Sequence, residues 1–577
     1  MKRPFAGRQG GPWARLRARG ARRRAGSTWR AGLMRRWRWR WLGYLALALA
    51  LGALPWALGT DWAKRAISRD SGPIRPALAA LPAILAPVDL EALSRAITEM
   101  DVTEARRLTE KYQHGSLSVA ESHRLAVERA RLGLYVGDCD SAEAILATLP
   151  PEEEQVAGLL DVARRCAGAV AASLVIEDAP RGIWVRLQDS DDAALVPYLA
   201  EVADSAREAV QKDLGVELPR PLRIDVVRDL FSLSAVSGLP LDAAETTGTV
   251  AVARWGRVTL LSPRASRHGY PWEDTMAHEI VHLALSRATR DFAPLWLQEG
   301  VAKRQEQRWR PPRPFDDAGS HDLLAQRALL TGRSVGVDNL GPSIAMLPSA
   351  DAASIAFSEV TSFINYWIEQ NGRGAFRLLL ADLKGLEDRD PSSALRSVSG
   401  HDLNEWIARW QAHLQKLEPP PEPSSPGAVA ASPDMRGVRL GDLLLRGQHF
   451  QAAARLFNQA LDASPGVSAL RFRASEATLG AGRAAEAAAR LGKLEELDGP
   501  HAGWFALESR FRAAAGELAP AAEASRMALS LDPWSELVAC EGQLRGLLGG
   551  DPWEVPDPID PVRQRLCYVA RARPPVQ

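Results

Sequence analysis

Two short segments near the middle of this chain restrict its fold more than any other feature. Residues 278–282 read His-Glu-Ile-Val-His, and Glu299 lies 17 residues after His282. Residues four apart lie on one face of an α-helix, so His278 and His282 can reach the same ion. The intervening chain is long enough to end one helix, turn, and begin another. The sequence therefore predicts two helices that face each other across a metal site.

The residue types in these segments indicate hydrolytic zinc chemistry. Zinc accepts imidazole and carboxylate ligands, and its catalytic sites combine three protein ligands with one open position. We therefore predict zinc ligands at His278, His282 and Glu299. Glu279 lies beside the first ligand and can act as a general base toward water at the metal. Two weaker alternatives for the third ligand are Asp291 and Glu306.

Together the two segments resemble the gluzincin metallopeptidases, specifically the peptidase MA-like group. The pattern of that group is approximately HE-x-x-H followed by P-x-W-L-x-E-G-x-A, and the second part here is Pro294, Trp296, Leu297, Glu299, Gly300 and Ala302. The resemblance covers roughly residues 172–416. It implies zinc at His278, His282 and Glu299, with Glu279 as the general base and a protein or peptide as the substrate.

One residue departs from the pattern of similar proteins. Those proteins often have a Tyr in an A-Y-x-x-S-type helix downstream, which resembles the donor that stabilises the oxyanion in related peptidases. Residues 356–360 read Ala-Phe-Ser-Glu-Val here, and Phe357 has no hydroxyl to donate. The substitute donors that the sequence offers are Tyr270, His321 and Tyr366.

The N-terminal region predicts a membrane anchor. The first 40 residues carry 14 Lys or Arg and no acid, and residues 41–60 carry no charge. About twenty apolar residues can cross a bilayer, and positive charge stays on the cytoplasmic side. We therefore predict a basic cytoplasmic leader at 1–40, a transmembrane helix at 41–60 and a stalk at 61–83. The bulk of the chain would lie in the periplasm, outside a bacterial inner membrane; a cleaved signal peptide is the alternative.

The remainder of the chain is acidic. The chain has 71 basic and 70 acidic residues, so removing the 14 basic residues of the leader leaves 57 against 70, a net charge of −13. An acidic surface repels phosphate backbones, so we expect no nucleic-acid partner. Arg and Trp alternate at 35–41, but contact of the leader with anionic lipid is the preferred interpretation.

Composition and periodicity divide the rest of the chain and predict an α+β fold. Residues 84–171 are helical by pattern and can form a tetratricopeptide-like domain. Strand patterns at 175–176, 183–187, 222–227, 249–253 and 258–262 surround a helix at about 192–214. A small mixed sheet before the metal helix and helices up to residue 416 complete the predicted peptidase domain, 172–416. An exposed edge strand there can pair with extended substrate.

A 34-residue repeat follows a linker. Residues 417–433 are rich in Pro and Ser, which predicts a linker. Ala453, Ala487 and Ala521 are then spaced by 34 residues each, the tetratricopeptide period. We predict three helix pairs at 434–546 that are separable from the metal domain and bind a protein partner on a concave face. Residues 547–577 are a C-terminal tail.

Four cysteines form two local pairs. Cys139 and Cys166 are 27 residues apart, and so are Cys540 and Cys567. In an oxidising compartment each pair can form a disulfide. Pairing across the peptidase region and buried free thiols are the alternatives. None of the four adjoins the two histidines, so they are not predicted to bind the zinc.

Two functions of different classes fit these observations. The first is a membrane-anchored zinc metallopeptidase that uses its repeats to dock a partner or substrate. The second is a catalytically inactive scaffold that retains the peptidase fold and assembles an envelope protein complex. Phe357 favours the scaffold, whereas the intact set of His278, Glu279, His282 and Glu299 favours the enzyme.

Overall fold

A computed structural model describes most of the chain after residue 87. The described residues are 88–265, 269–312, 316, 320–385, 390–418, 435–465, 467–493, 501–540 and 561–572. The predicted leader, membrane span and stalk lie outside these ranges, as do most of the linker and most of the tail. Within the described ranges, no helix is both long enough and apolar enough to cross a bilayer.

Five helices precede the sheet. They are α1 (Leu90–Thr98), α2 (Val102–Gln113), α3 (Val119–Val136), α4 (Cys139–Leu146) and α5 (Glu154–Val170). The side chains of Asp89, Asp101, Ser118 and Asp138 accept backbone N–H groups at the first four helix starts, which explains where these helices begin. A disulfide between Cys139 and Cys166 joins α4 to α5.

One five-stranded mixed sheet lies in the middle of the described chain. Its strands are β1 (Leu174–Asp178), β2 (Ile183–Leu187), β3 (Leu222–Val227), β4 (Ala251–Arg254) and β5 (Arg257–Leu261). Their order across the sheet is β1-β2-β3-β5-β4. The central strands β2, β3 and β5 are parallel, whereas β1 and β4 pair antiparallel at the two edges. The chain is thus mainly helical with one small mixed sheet, in agreement with the predicted α+β class.

Different helices cover the two faces of the sheet. The helices in this part are α6 (Val196–Leu214), α7 (Leu230–Ser237), α8 (Leu241–Thr247) and α9 (Trp272–Thr289). Side chains such as Val185, Ile224 and Leu260 form one apolar core with α6 and α9. The other face packs against α4, α5 and α7. Alternation of side chains along each strand therefore gives the sheet two separate interiors.

A second group of helices packs against α9. It consists of α10 (Leu295–Gln305), α11 (His321–Leu330), α12 (Ala350–Gly385), α13 (Pro391–Ser399) and α14 (Leu403–Leu414). Helix α10 approaches α12 so closely at Gly300 that an added Cβ would lie 2.6 Å from both Val360 O and Ile364 Cγ1. Only glycine fits between the two helices at that position, which accounts for the glycine after Glu299.

The described residues after 434 contain three helix pairs. They are α15 (Met435–Arg446) with α16 (Phe450–Ala463), α17 (Ser468–Gly480) with α18 (Ala484–Leu491), and α19 (Ala502–Ala514) with α20 (Leu518–Leu531). Two short helices follow, α21 (Glu536–Ala539) and α22 (Pro561–Ala572), which the Cys540–Cys567 disulfide connects. Ser475 donates to Ala487 O at 2.8 Å, and Ser509 donates to Ala521 O at 2.8 Å. The 34-residue spacing of the sequence is therefore also a spacing of contacts.

The third helix pair contacts the start of α9. Trp272 Nε1 donates to Leu529 O at 3.2 Å, and the Tyr270 N–H donates to Leu531 O at 3.0 Å. Trp272 is fully buried within the core that also contains α6 and α9. The linker composition did not predict this contact, because composition carries no information on what packs against a helix end.

Candidate metal centre

Helix α9 directs its two histidines toward α10. The acidic residues Glu273 and Asp274 lie in its first turn, where carboxylates interact favourably with the helix dipole. Asp274 also accepts hydrogen bonds from Trp309 Nε1 at 3.1 Å and Arg310 Nε at 2.8 Å. The start of the helix is therefore tied to the segment after α10, which fixes the two helices relative to each other.

A tight turn returns the chain from α9 to α10. Arg290 and Asp291 both have left-handed backbone conformations, with φ of 54° and 63°. The Thr289 hydroxyl accepts the Ala293 N–H at 3.1 Å, and Pro294 immediately precedes α10. Asp291, the weaker candidate ligand, belongs to this turn and does not join the cluster of candidate metal ligands in the described chain.

His278, His282 and Glu299 come together with the spacing of a metal site. The two Nε2 atoms lie 3.1 Å apart, and Glu299 Oε2 lies 3.5 Å from His278 Nε2 and 3.4 Å from His282 Nε2. Ligands of a tetrahedral zinc with bonds of about 2.0 to 2.1 Å are separated by roughly 3.3 to 3.4 Å. The three ligand atoms therefore fit three corners of a zinc tetrahedron.

Two acceptors on or beside α10 orient the imidazoles. His282 Nδ1 lies 3.1 Å from Gln298 Oε1, and His278 Nδ1 lies 3.2 Å from Glu306 Oε2. Because these oxygens can only accept, each Nδ1 carries the proton and each Nε2 keeps a lone pair for a metal. Lys303 Nζ lies 2.6 Å from the other oxygen of Glu306. Glu306 is therefore placed as an orienting acceptor behind His278, and the sequence gave no indication of Gln298.

The buried charges of the site favour a cation. Burial lowers the pKa of His278, but its hydrogen bonds with Glu299 and Glu306 outweigh burial and raise that pKa to about 10. Burial raises the pKa of Glu299, but both imidazoles outweigh it and lower that pKa. Glu279, Glu299 and Glu306 face a single Lys among the described residues of the cleft. A divalent cation would balance this excess of buried negative charge.

The edge strand β4 lies beside Glu279. The Leu261 N–H donates to Val250 O at 2.8 Å, so Val250 faces β5. The alternation of an antiparallel ladder then turns the backbone groups of Ala251 and Ala253 away from β5. The Ala253 N–H is hydrogen-bonded to the carboxylate of Glu279. Ala251 consequently presents its N–H and C=O along an edge where an extended peptide can pair.

The site opens into a cleft of about 460 Å³. This volume falls within the range of roughly 300 to 1,000 Å³ that is usual for ligand sites. Residues 247–253 form one side of the cleft, and residues 343–345 with Ala353 and Phe357 form another. Thr247 Oγ1 donates to Ala345 O at 3.2 Å, which connects the two sides.

Phe357 lies in the cleft, but the three substitute donors do not. Its ring centroid is 6.1 Å from that of His278, so no hydroxyl is present at this position. Tyr270, His321 and Tyr366 are not among the described residues that line the cleft. The Tyr270 hydroxyl donates to Leu261 O, and the Tyr366 ring packs against His413. The donors that do line the cleft are Thr247, Thr249, Thr275, Ser286, Lys303 and Ser343.

Comparison with known proteins adds no relative. No protein-family model matches the chain, and a search of curated proteins found no match. The likeness to gluzincin peptidases therefore depends on the motif residues and on the geometry described above.

Proposed function

We propose that this chain is a gluzincin-type zinc metallopeptidase that hydrolyses peptide bonds in extended protein or peptide substrates. One observation carries the proposal. The ligand atoms of His278, His282 and Glu299 lie 3.1 to 3.5 Å apart, beside Glu279 and an open sheet edge. A helix that carried two histidines by chance would have no reason to meet a third ligand at this spacing.

The residues of the site divide the chemistry among them. A bound zinc ion supplies Lewis acidity toward water and the substrate carbonyl. Ala251 pairs with the substrate backbone and holds it extended across the site. Glu279 takes a proton from the attacking water and passes it to the nitrogen of the leaving amine. Its hydrogen bond from the Ala253 N–H fixes the carboxylate beside the edge strand.

Replacing Glu279 separates metal binding from proton transfer. Glu279→Gln keeps the size of the side chain but removes the base, so hydrolysis of an unfolded protein should fall by about 10² to 10⁴-fold. Zinc content should stay near one ion per chain, whereas His282→Ala should lose most of the zinc because two ligands hold it weakly. The readouts are zinc per chain by elemental analysis and cleavage of a fluorogenic unfolded substrate.

Glu245→Gln is the matched control, because Glu245 is exposed on α8 and does not line the cleft. It should leave both zinc content and hydrolysis unchanged. Wild-type hydrolysis by Glu279→Gln would show that another group transfers the proton. A wild-type chain that holds no stoichiometric metal would contradict the zinc site itself.

The alternative function is an inactive scaffold that assembles an envelope protein complex. Phe357 supports it, because the ring occupies the cleft where a hydroxyl donor would stabilise an oxyanion. A wild-type chain with stoichiometric zinc and no hydrolysis of unfolded proteins would favour this alternative.

We also propose a cellular setting from the sequence pattern. The basic leader and the uncharged residues 41–60 anchor the chain in a bacterial inner membrane, with the metal site in the periplasm. The C-terminal helix pairs would dock a protein partner or substrate. A reporter that works only outside the cytoplasm should be active when fused after residue 70; an inactive reporter would contradict this orientation.

A further inference from the structure

A cluster of buried charges lies on the sheet face that α4 and α5 cover. Arg186 donates two hydrogen bonds to Asp225, of 2.7 and 3.0 Å. Arg257 is fully buried, and its Nε lies 3.1 Å from the same carboxylate, outside hydrogen-bond geometry. Two guanidinium groups therefore share one carboxylate. This guanidinium cluster carries a net positive charge where water cannot screen it.

The surplus charge points at a disulfide. Arg257 Nη2 lies 3.5 Å from Cys166 Sγ and 3.9 Å from Cys139 Sγ. Burial lowers the pKa of Arg257 to about 10 while Asp225 opposes that shift, so the guanidinium is protonated at neutral pH. A disulfide is neutral and cannot balance this charge, whereas a thiolate can. The reduced form of the pair is therefore the one that the guanidinium cluster stabilises.

The position of Cys139 adds to the same effect. Cys139 is the first residue of α4, and a helix N-terminus lowers the pKa of a cysteine thiol. Its neighbours Asp138 and Asp140 are exposed, so only the turn between α3 and α4 separates the sulfur from solvent. Opening of that short turn would expose the sulfur without unfolding the sheet.

We propose that Cys139 and Cys166 form a redox-active disulfide that exchanges with dithiol reductants, and that Arg257 stabilises its reduced form. A dithiol gives two electrons to the S–S bond, which breaks, and the dithiol becomes a disulfide. Of the two protons that the dithiol loses, one protonates one cysteine and one goes to solvent. The other cysteine stays a thiolate beside Arg257. This site lies away from the metal centre and does not depend on the proposed peptidase activity.

The second disulfide provides an internal control. Both Cys139–Cys166 and Cys540–Cys567 have a sequence separation of 27, so the chain-entropy contribution of the two loops is the same. The full-length chain is equilibrated in dithiothreitol buffers of graded reduced-to-oxidised ratio. Differential alkylation and peptide mass spectrometry then give the oxidised fraction of each pair. We expect Cys139–Cys166 to be reduced at a ratio at least about tenfold lower, which corresponds to about 30 mV.

Arg257→Met tests the cause of the difference. It removes the surplus charge and leaves the two-bond pair of Arg186 and Asp225 in place, so the fold should tolerate it. Reduction of Cys139–Cys166 should then need a ratio at least about tenfold higher, with Cys540–Cys567 unchanged. Equal midpoints for the two wild-type pairs would overturn the proposal even if the variant does not fold. A variant midpoint within about twofold of wild type would also overturn it.

Discussion

The two imidazoles of the metal centre are held by acceptors of different strength. Gln298 accepts through a neutral amide, whereas Glu306 accepts through a carboxylate that also pairs with Lys303. A charged acceptor polarises the N–H more strongly than a neutral one and makes the ligand more basic. We therefore expect the imidazole of His278 to be the stronger of the two histidine ligands.

Removing the charged acceptor should weaken metal binding. Glu306→Ala leaves the Nδ1 of His278 without its acceptor, so zinc affinity should fall by about 10 to 100-fold. Glu306→Gln keeps an oxygen in place and should lie between the alanine variant and wild type. Competition with a chromogenic chelator measures the affinity. Gln298→Ala is the matched comparison and should lose less; equal affinities for Glu306→Ala and wild type would show that the hydrogen bond has no effect on the metal.

At the residue scale, the sequence predicts the ligands better than the groups that orient them. Helical spacing places His278 and His282 on one face whatever surrounds them. Glu306 carried a partial signal, because it follows Glu299 by seven residues, or about two helical turns. Gln298 carried none, since no local pattern distinguishes it from a surface glutamine. The direction of the Tyr270 side chain likewise depends on distant packing, which is why its candidacy as a donor failed.

At the element scale, local pattern predicted the central strands and missed their order. The predicted strands at 183–187 and 222–227 coincide with β2 and β3, because alternating apolar residues define them. The hairpin at 249–262 was also predicted, yet its second strand, β5, lies between β3 and β4. Strand order depends on contacts between distant segments. It is this order that leaves β4 as the free edge beside the metal centre.

Proline at Ala251 tests the free edge. The Ala251 N–H points away from β5, so Ala251→Pro removes a donor to substrate without removing a ladder hydrogen bond. Losing one backbone hydrogen bond of about 1 to 1.5 kcal/mol should raise KM for an unfolded peptide by roughly tenfold. Zinc content should not change. Ala251→Ser keeps the N–H and is the control; an unchanged KM in the proline variant would mean that substrate does not pair with β4.

At the scale of the whole molecule, the C-terminal helix pairs and the metal helix are in direct contact. The linker at 417–433 suggests a unit that can be removed, but Trp272 is buried against α20 and donates to Leu529 O. Sequence pattern describes each segment alone and cannot reveal a contact between residues more than 250 positions apart. We therefore no longer expect the helix pairs to be separable without cost.

Truncation should destabilise the metal domain. A chain that ends at residue 417 exposes Trp272, and losing the burial of a large aromatic side chain should lower Tm by at least about 5 °C. Thermal unfolding of the zinc-loaded protein measures the change. Trp272→Phe in the full-length chain keeps most of the apolar contact and should lower Tm less. A truncated chain with the full-length Tm would instead establish a separable docking module.

The closeness of α10 and α12 at Gly300 has a consequence for which substitutions the metal centre tolerates. Even alanine would place a methyl group 2.6 Å from Val360 O, so α10 would have to move away from α12. Glu299 is the preceding residue and would move with it. Its Oε2 now lies within 3.5 Å of both imidazoles, and a displacement of less than an ångström would be a large fraction of that distance. A position that touches neither metal nor substrate thus sets how far the third ligand reaches.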